Sequence, residues 1–151
     1  MDFTCKARWV LDEHKTPTRI NSTYAGVLSR ESVIISFTYA AWNHLDVCAA
    51  EIRNAYMQVY LSCKEYIIYG ADFGLENVGR VTLIHRDLYG GKSDGADFTN
   101  HLRSCIQHLD LVSCPANPYV WMRRDIQVDG SEYYEYVLLY TNDALALSEN
   151  L

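Results

Sequence analysis

The five cysteines of this 151-residue chain, Cys5, Cys48, Cys63, Cys105 and Cys114, include no Cys-x-x-Cys pair, and their number is odd. That argues against a disulfide framework and against a zinc site, and for a reducing compartment. No apolar run approaches the roughly 20 residues that span a bilayer, so no membrane partner is expected. The opening Met1-Asp2-Phe3-Thr4-Cys5-Lys6 lacks a signal-peptide pattern, which predicts a cytoplasmic, non-secreted chain. There is no internal repeat and no low-complexity tract. Cations are in the minority, 13 Lys and Arg against 19 Asp and Glu, for a net charge of −6. The molecule as a whole is therefore not a basic nucleic-acid binder.

What is present is ordinary for a folded chain: 49% hydrophobic and 21% charged residues argue against disorder. Twelve tyrosines suit half-buried strands and clefts, because the ring is apolar and the hydroxyl is not. Charge is uneven along the chain. Lys6, Arg8, Lys15, Arg19 and Arg30 outnumber Asp2, Asp12 and Glu13 in residues 1–30, while residues 131–151 carry Glu132, Glu135, Asp143 and Glu149 and no Lys or Arg. A basic beginning and an acidic end can face each other across a cleft with phosphate on one side and metal on the other.

The chain is organised around Tyr140-Thr141-Asn142-Asp143, which lies between Tyr136-Val137-Leu138-Leu139 and Ala144-Leu145-Ala146-Leu147. Two β-prone runs joined by a short polar pair predict a tight hairpin with Asp143 at its tip. Earlier, Lys6-Ala7-Arg8-Trp9-Val10 reads as a strand with two cations on one face. Ser29 caps a helix predicted over about 31–44, with Val33, Ile34, Phe37, Ala40, Ala41 and Leu45 as its apolar positions. Asp46-Val47-Cys48-Ala49-Ala50-Glu51-Ile52 reads as a short, buried strand, and a carboxylate late in such a strand is costly unless something pairs it. Further strands are predicted at 65–69 and 80–84. A Gly-rich connection at 88–95 leads to a helix over about 96–110, with Phe98, Leu102, Cys105, Ile106 and Leu109 on one face. His101 and His108 on that helix read as surface or packing residues and are assigned no ligand role. Strands at 119–123 and 133–140, turned at Asp129-Gly130, complete an α+β fold with helices packed on one face of an antiparallel sheet.

Two acidic positions then stand out, Glu51 at a strand end and Asp143 at the hairpin tip. Converging strand-borne carboxylates can hold a pair of Mg²⁺ ions, which activate an attacking oxygen and stabilise the leaving one in phosphoryl or nucleotidyl transfer. Lys92 in the Gly-rich stretch, with Lys6 and Arg8, would suit a triphosphate.

Six segments in order resemble the reverse transcriptase domain of copia-type retrotransposons. Lys6-Ala7-Arg8-Trp9-Val10 is similar to its opening Lys-Ala-Arg-Leu-Val, and Ser29-Arg30-Glu31-Ser32-Val33 to the segment before its first helix. Ala50-Glu51-Ile52-Arg53-Asn54-Ala55-Tyr56 resembles its Met-Asp-Val-Lys-Thr-Ala-Phe, and Leu88-Tyr89-Gly90-Gly91-Lys92 its Leu-Tyr-Gly-Leu-Lys. Asn117-Pro118-Tyr119-Val120-Trp121 resembles its Asp-Pro-Cys-Leu-Tyr, and Tyr140-Thr141-Asn142-Asp143 its Tyr-Val-Asp-Asp.

The resemblance implies the fingers and palm of a right-hand polymerase. Residues of about 1–45 and 58–95 would be fingers-like and those of about 46–57 and 96–151 palm-like, with the chain ending before a thumb. It implies RNA-directed DNA synthesis from dNTPs on an RNA or DNA template–primer with Mg²⁺ or Mn²⁺, in a cytoplasmic setting that extends to virus-like particles or the nucleus. Glu51, Asn142 and Asp143 occupy the catalytic positions, with Glu51 and Asp143 as the metal ligands. Lys6, Arg8, Tyr56, Tyr89, Gly90 and Lys92 occupy nucleotide-binding positions, Tyr56 as the aromatic gate against a ribose 2′-hydroxyl. Three departures accompany these matches: Glu51 and Asn142 stand where the family has Asp, and Gly95 where it usually has Pro. Glu51 and Asn142, together with the missing thumb, imply a degenerate copy without measurable polymerase activity, whose metal is held weakly if at all. The alternative is a remnant of the palm that binds nucleic acid or protein without chemistry.

Overall fold

A computed structural model describes Val10 and residues 26–150. The expected strand at Lys6-Ala7-Arg8-Trp9-Val10 therefore lies outside the described residues except for Val10, which makes an isolated parallel bridge to Tyr89. The described elements are α1 (Arg30–Trp42), β1 (Asp46–Glu51), β2 (Tyr60–Ile68), β3 (Val81–Arg86), α2 (Asp94–Gln107), β4 (Val112–Cys114), β5 (Asn117–Ile126), β6 (Glu132–Tyr140) and β7 (Asp143–Ser148). Short 3₁₀ turns occupy Tyr56–Gln58, Ala71–Phe73 and Leu75–Asn77. The class is α+β with antiparallel sheets. No helix among the described residues is long and apolar enough to cross a membrane.

The chain divides into two compact units, one containing residues 54–98 and the other 25–53 and 99–151. In the first, β2 and β3 form a two-stranded antiparallel sheet whose register shifts between Tyr60 and Glu65. Ala55, Val59, Ala96 and Phe98 are its buried apolar residues, and Asp87 is wholly buried.

The second unit is a five-stranded antiparallel sheet in the order β1-β7-β6-β5-β4. Residues 26–45 belong to this unit. The reason is packing: Leu28 and Ala40 share a core with Val120, Leu138 and Leu147 of the sheet. Ser29 caps α1 as expected, its Oγ accepting from Ser32 N at 3.2 Å.

Helices on one face of the sheet is an expectation the structure corrects. Val33, Tyr39 and Ala40 of α1 pack with Val120, Tyr136, Leu138, Leu145 and Leu147. Leu102 and Ile106 of α2 pack with Trp121, Val137, Leu139 and Ala144. Successive strand residues point to opposite faces, so these two sets lie on opposite faces of the sheet. The adjacent Leu138 and Leu139 are 1% and 3% exposed, which requires cover on both sides.

Two further expectations change. β1 is an edge strand exposed at all six positions rather than a buried one. In α1 the buried residues are Ser36 and Ala40, while Ile34, Ile35, Phe37 and Trp42 face solvent. Apolar residues surround this helix on all sides, so no 3.6-residue stripe selects the packed face.

Candidate functional site at the β6–β7 hairpin

β6 and β7 pair from Tyr136 opposite Leu147 to Tyr140 opposite Asp143, leaving Thr141 and Asn142 as the two-residue tip. Thr141 sits at φ 54°, in the left-handed region. A β-branched residue there is strained, and such strain concentrates where a site holds it in place.

β1 runs antiparallel to β7 with Glu51 directly opposite Asp143. Ile52 N donates to Asn142 O at 2.7 Å, so the neighbouring Ile52–Asn142 pair is the hydrogen-bonded one. Glu51 and Asp143 therefore form a non-hydrogen-bonded pair, the kind whose side chains stand closer. Directly opposite side chains share a face, with β-carbons about 5 Å apart. The structure thus brings together two carboxylates 92 positions apart in sequence, both exposed. Asn142 joins them: its Nδ2 donates to Glu51 Oε1 at 3.3 Å.

Whether this set suits a metal follows from its donors. Glu51 and Asp143 offer carboxylate oxygens, the preferred ligands of hard dications. The Asn142 amide nitrogen, already turned to Glu51, offers none. Among the described residues no group of three or more His, Cys, Asp or Glu side chains is placed to hold a metal ion. Glu51 and Asp143 are the two carboxylates this tip presents, and the Asn142 amide is hydrogen-bonded to the first of them.

The other expected site residues fall elsewhere. Lys6 and Arg8 lie outside the described residues. Tyr56, Tyr89, Gly90 and Lys92 belong to the 54–98 unit. The half-buried Tyr56 ring meets Tyr89 edge-on at 4.9 Å and Phe98 at 5.7 Å between centroids. Burial raises the Tyr56 phenol above its ordinary pKa, and Tyr89 and Asp94 add to the effect. The Gly-rich loop needs its glycines. Gly90 has φ 95°, and a Cβ on Gly91 would strike the Asp94 carboxylate, whose Oδ2 accepts from Gly91 N at 2.6 Å. Buried Asp94 and Ser93 open α2, where Ser93 Oγ and Ser62 Oγ each donate to Asp97 Oδ2 at 3.0 Å.

Elsewhere in the 25–53 and 99–151 unit lies an open depression of about 400 Å³ lined by Gln107, Asp110, Leu111, Val112, Ser113 and Trp121. It holds a single carboxylate and no basic group, so the hairpin tip is the better candidate for chemistry. Sequence reading also passed over a contact on α2: Cys105 Sγ lies 3.7 Å from His101 Nε2. The signal was available as His-x-x-x-Cys, a spacing that puts both side chains on one helical face. Comparison with family models, curated proteins and solved structures finds no match to this chain.

Proposed function

We propose that the chain is a degenerate reverse transcriptase palm of the copia type, whose nucleotidyl-transfer site has been reduced to a weak divalent-cation site. The observation that carries this reading is the in-register pairing of Glu51 with Asp143 beside the Asn142 tip. An RNA or DNA template–primer and dNTPs are the partners in this reading, and Tyr56, Tyr89, Gly90 and Lys92 keep the nucleotide-facing roles that the resemblance implies.

Loss of activity follows from the two substitutions. Glu51 retains its charge but carries one methylene more than Asp, which displaces the carboxylate by about 1 Å; a displacement of that size can lower a rate roughly 10²-fold. Asn142 withdraws a full negative charge, so a cation gains less on binding. Its amide instead satisfies Glu51 by a hydrogen bond, which competes with metal for the same oxygen.

Primer extension tests the reading, with Mg²⁺ and with Mn²⁺, on the parent chain and on Glu51→Asp/Asn142→Asp. The parent is expected to incorporate no dNTP. The restored chain should bind Mn²⁺ at least about tenfold more tightly by calorimetry and should gain templated incorporation. Incorporation by the parent that disappears in Asp143→Ala would overturn the loss of activity. A restored chain that gains neither cation affinity nor incorporation would overturn the polymerase reading itself.

A further inference from the structure

We infer that the depression between the end of α2 and β4 receives an extended peptide with a basic side chain, which joins the sheet as a strand beside β4. The peptide is bound without chemistry, and the hairpin carboxylates take no part.

A sheet edge and an unmet donor meet at this place. β4 is the last strand in the order β1-β7-β6-β5-β4, and its exposed Val112 and Ser113 line the depression. An extended peptide is the ligand that offers main-chain N–H and C=O groups at the spacing of such an edge. Ser113 stands directly opposite Trp121 in the β4–β5 ladder, so their side chains share the face covered by α2. Trp121 also lines the depression and is 2% exposed, and its buried indole Nε1 has no hydrogen-bond acceptor. A buried donor left unpaired is costly. Because this N–H is already shut away from water, an acceptor brought to it displaces no water hydrogen bond. The residue of the added strand opposite Ser113 puts its side chain on the same face, where an amide or hydroxyl oxygen is the group that suits the indole.

Charge selects the rest of the peptide. Asp110 is the single charged side chain lining the depression, and it sits at φ 59° where the chain turns from α2 into β4. Arg123 of β5 is committed elsewhere, to Glu135 and to Leu109 O. A carboxylate so placed attracts a basic side chain and repels the phosphates of nucleic acid. All strand pairs of this sheet are antiparallel. In the same sense, the peptide residue two places after the one opposite Ser113 comes opposite Leu111, next to Asp110. A lysine there lays its apolar stem on Leu111 and its ammonium at the Asp110 carboxylate. The order is therefore a hydrogen-bonding residue, one residue of any kind, then a basic one.

Fluorescence anisotropy of the full chain with a labelled, end-blocked peptide Thr-Val-Asn-Val-Lys-Val, at low salt, tests the inference. Binding should be saturable. It should weaken at least about threefold in Asp110→Asn, a change that a left-handed backbone tolerates, and more when the peptide lysine is replaced by glutamate. N-methylation of one alternate set of peptide amides should abolish binding while methylation of the other set leaves it, because an added strand pairs on one side only. In nitrogen–proton correlation spectra the Trp121 indole resonance, identified by its loss in Trp121→Phe, should move on binding. No saturable binding at millimolar peptide, or an indole resonance that stays still at saturation, would overturn the site. Equal loss from both methylated peptides would overturn strand addition, and equal affinity of parent and Asp110→Asn would overturn the basic side chain. A six-nucleotide single-stranded DNA that moved the same resonance and displaced the peptide would overturn the peptide as occupant.

Discussion

At the scale of single residues, the pairing of Glu51 with Asp143 is a conflict built into the edge of the sheet. Like charges directly opposite each other in an antiparallel pair are destabilising. The Asn142 amide relieves part of this through its hydrogen bond to Glu51 Oε1. Without divalent cations, Asp143→Asn should therefore raise stability, by about 0.5 kcal/mol, measured by urea denaturation. With millimolar Mn²⁺ the order should narrow or reverse, because only the parent retains both carboxylates. A parent that stays less stable by the same margin with and without Mn²⁺ would mean that the pair does not bind the ion.

At the scale of elements, the sheet is strongest where both faces are covered. β6 runs through the middle of the five-strand order and holds Leu138 and Leu139, whose side chains enter the two separate cores. β4 is a three-residue edge strand, and its Val112 is 59% exposed. Leu138→Ala should cost about 3 kcal/mol, since the methyl groups it removes leave a cavity in a packed core. Val112→Ala should change stability by no more than about 0.5 kcal/mol. Equal costs at the two positions, by chemical denaturation, would show that β6 does not carry the core. Thr141 belongs to the same hairpin. Its left-handed backbone is held by the ladder on either side, with Tyr140 opposite Asp143 on the strands it joins.

At the scale of the whole molecule, an acidic chain rich in tyrosine is sensitive to alkali. Burial raises the phenol pKa of Tyr56 in one unit and of Tyr136 in the other; nearby Tyr89 and Asp94 add to the first, and Tyr39, Cys114 and Tyr134 to the second. A phenol raised in this way keeps its proton in the folded state where the unfolded chain has lost it. Its contribution to stability is full below the ordinary value of 10.0 and is lost as pH rises through the folded value. The thermal midpoint should fall steeply above about pH 10, while Tyr136→Phe, which keeps the ring packed on Tyr39, should flatten that fall. An unchanged alkaline limb in Tyr136→Phe would remove this phenol as a cause.

The sequence by itself determined what depends on near neighbours. The Ser29 cap, the β6–β7 hairpin with its polar tip, the turn at Asp129-Gly130 and the glycines before α2 were legible because each is a local solution to backbone geometry and hydrogen bonding. It also marked Glu51 and Asp143 as acidic interruptions of apolar runs. Only the tertiary structure decided what depends on distant ones. The register that sets Glu51 opposite Asp143 comes from pairing β1 with β7, and a slip of one residue would send the two carboxylates to opposite faces. The exposure of β1 follows from its place at the sheet edge. The buried side of α1 was hidden because the helix is apolar all round, and the choice fell to Ser36 and Ala40, small residues. Small side chains let a helix approach a sheet closely, and that preference appears only once there is a sheet to approach.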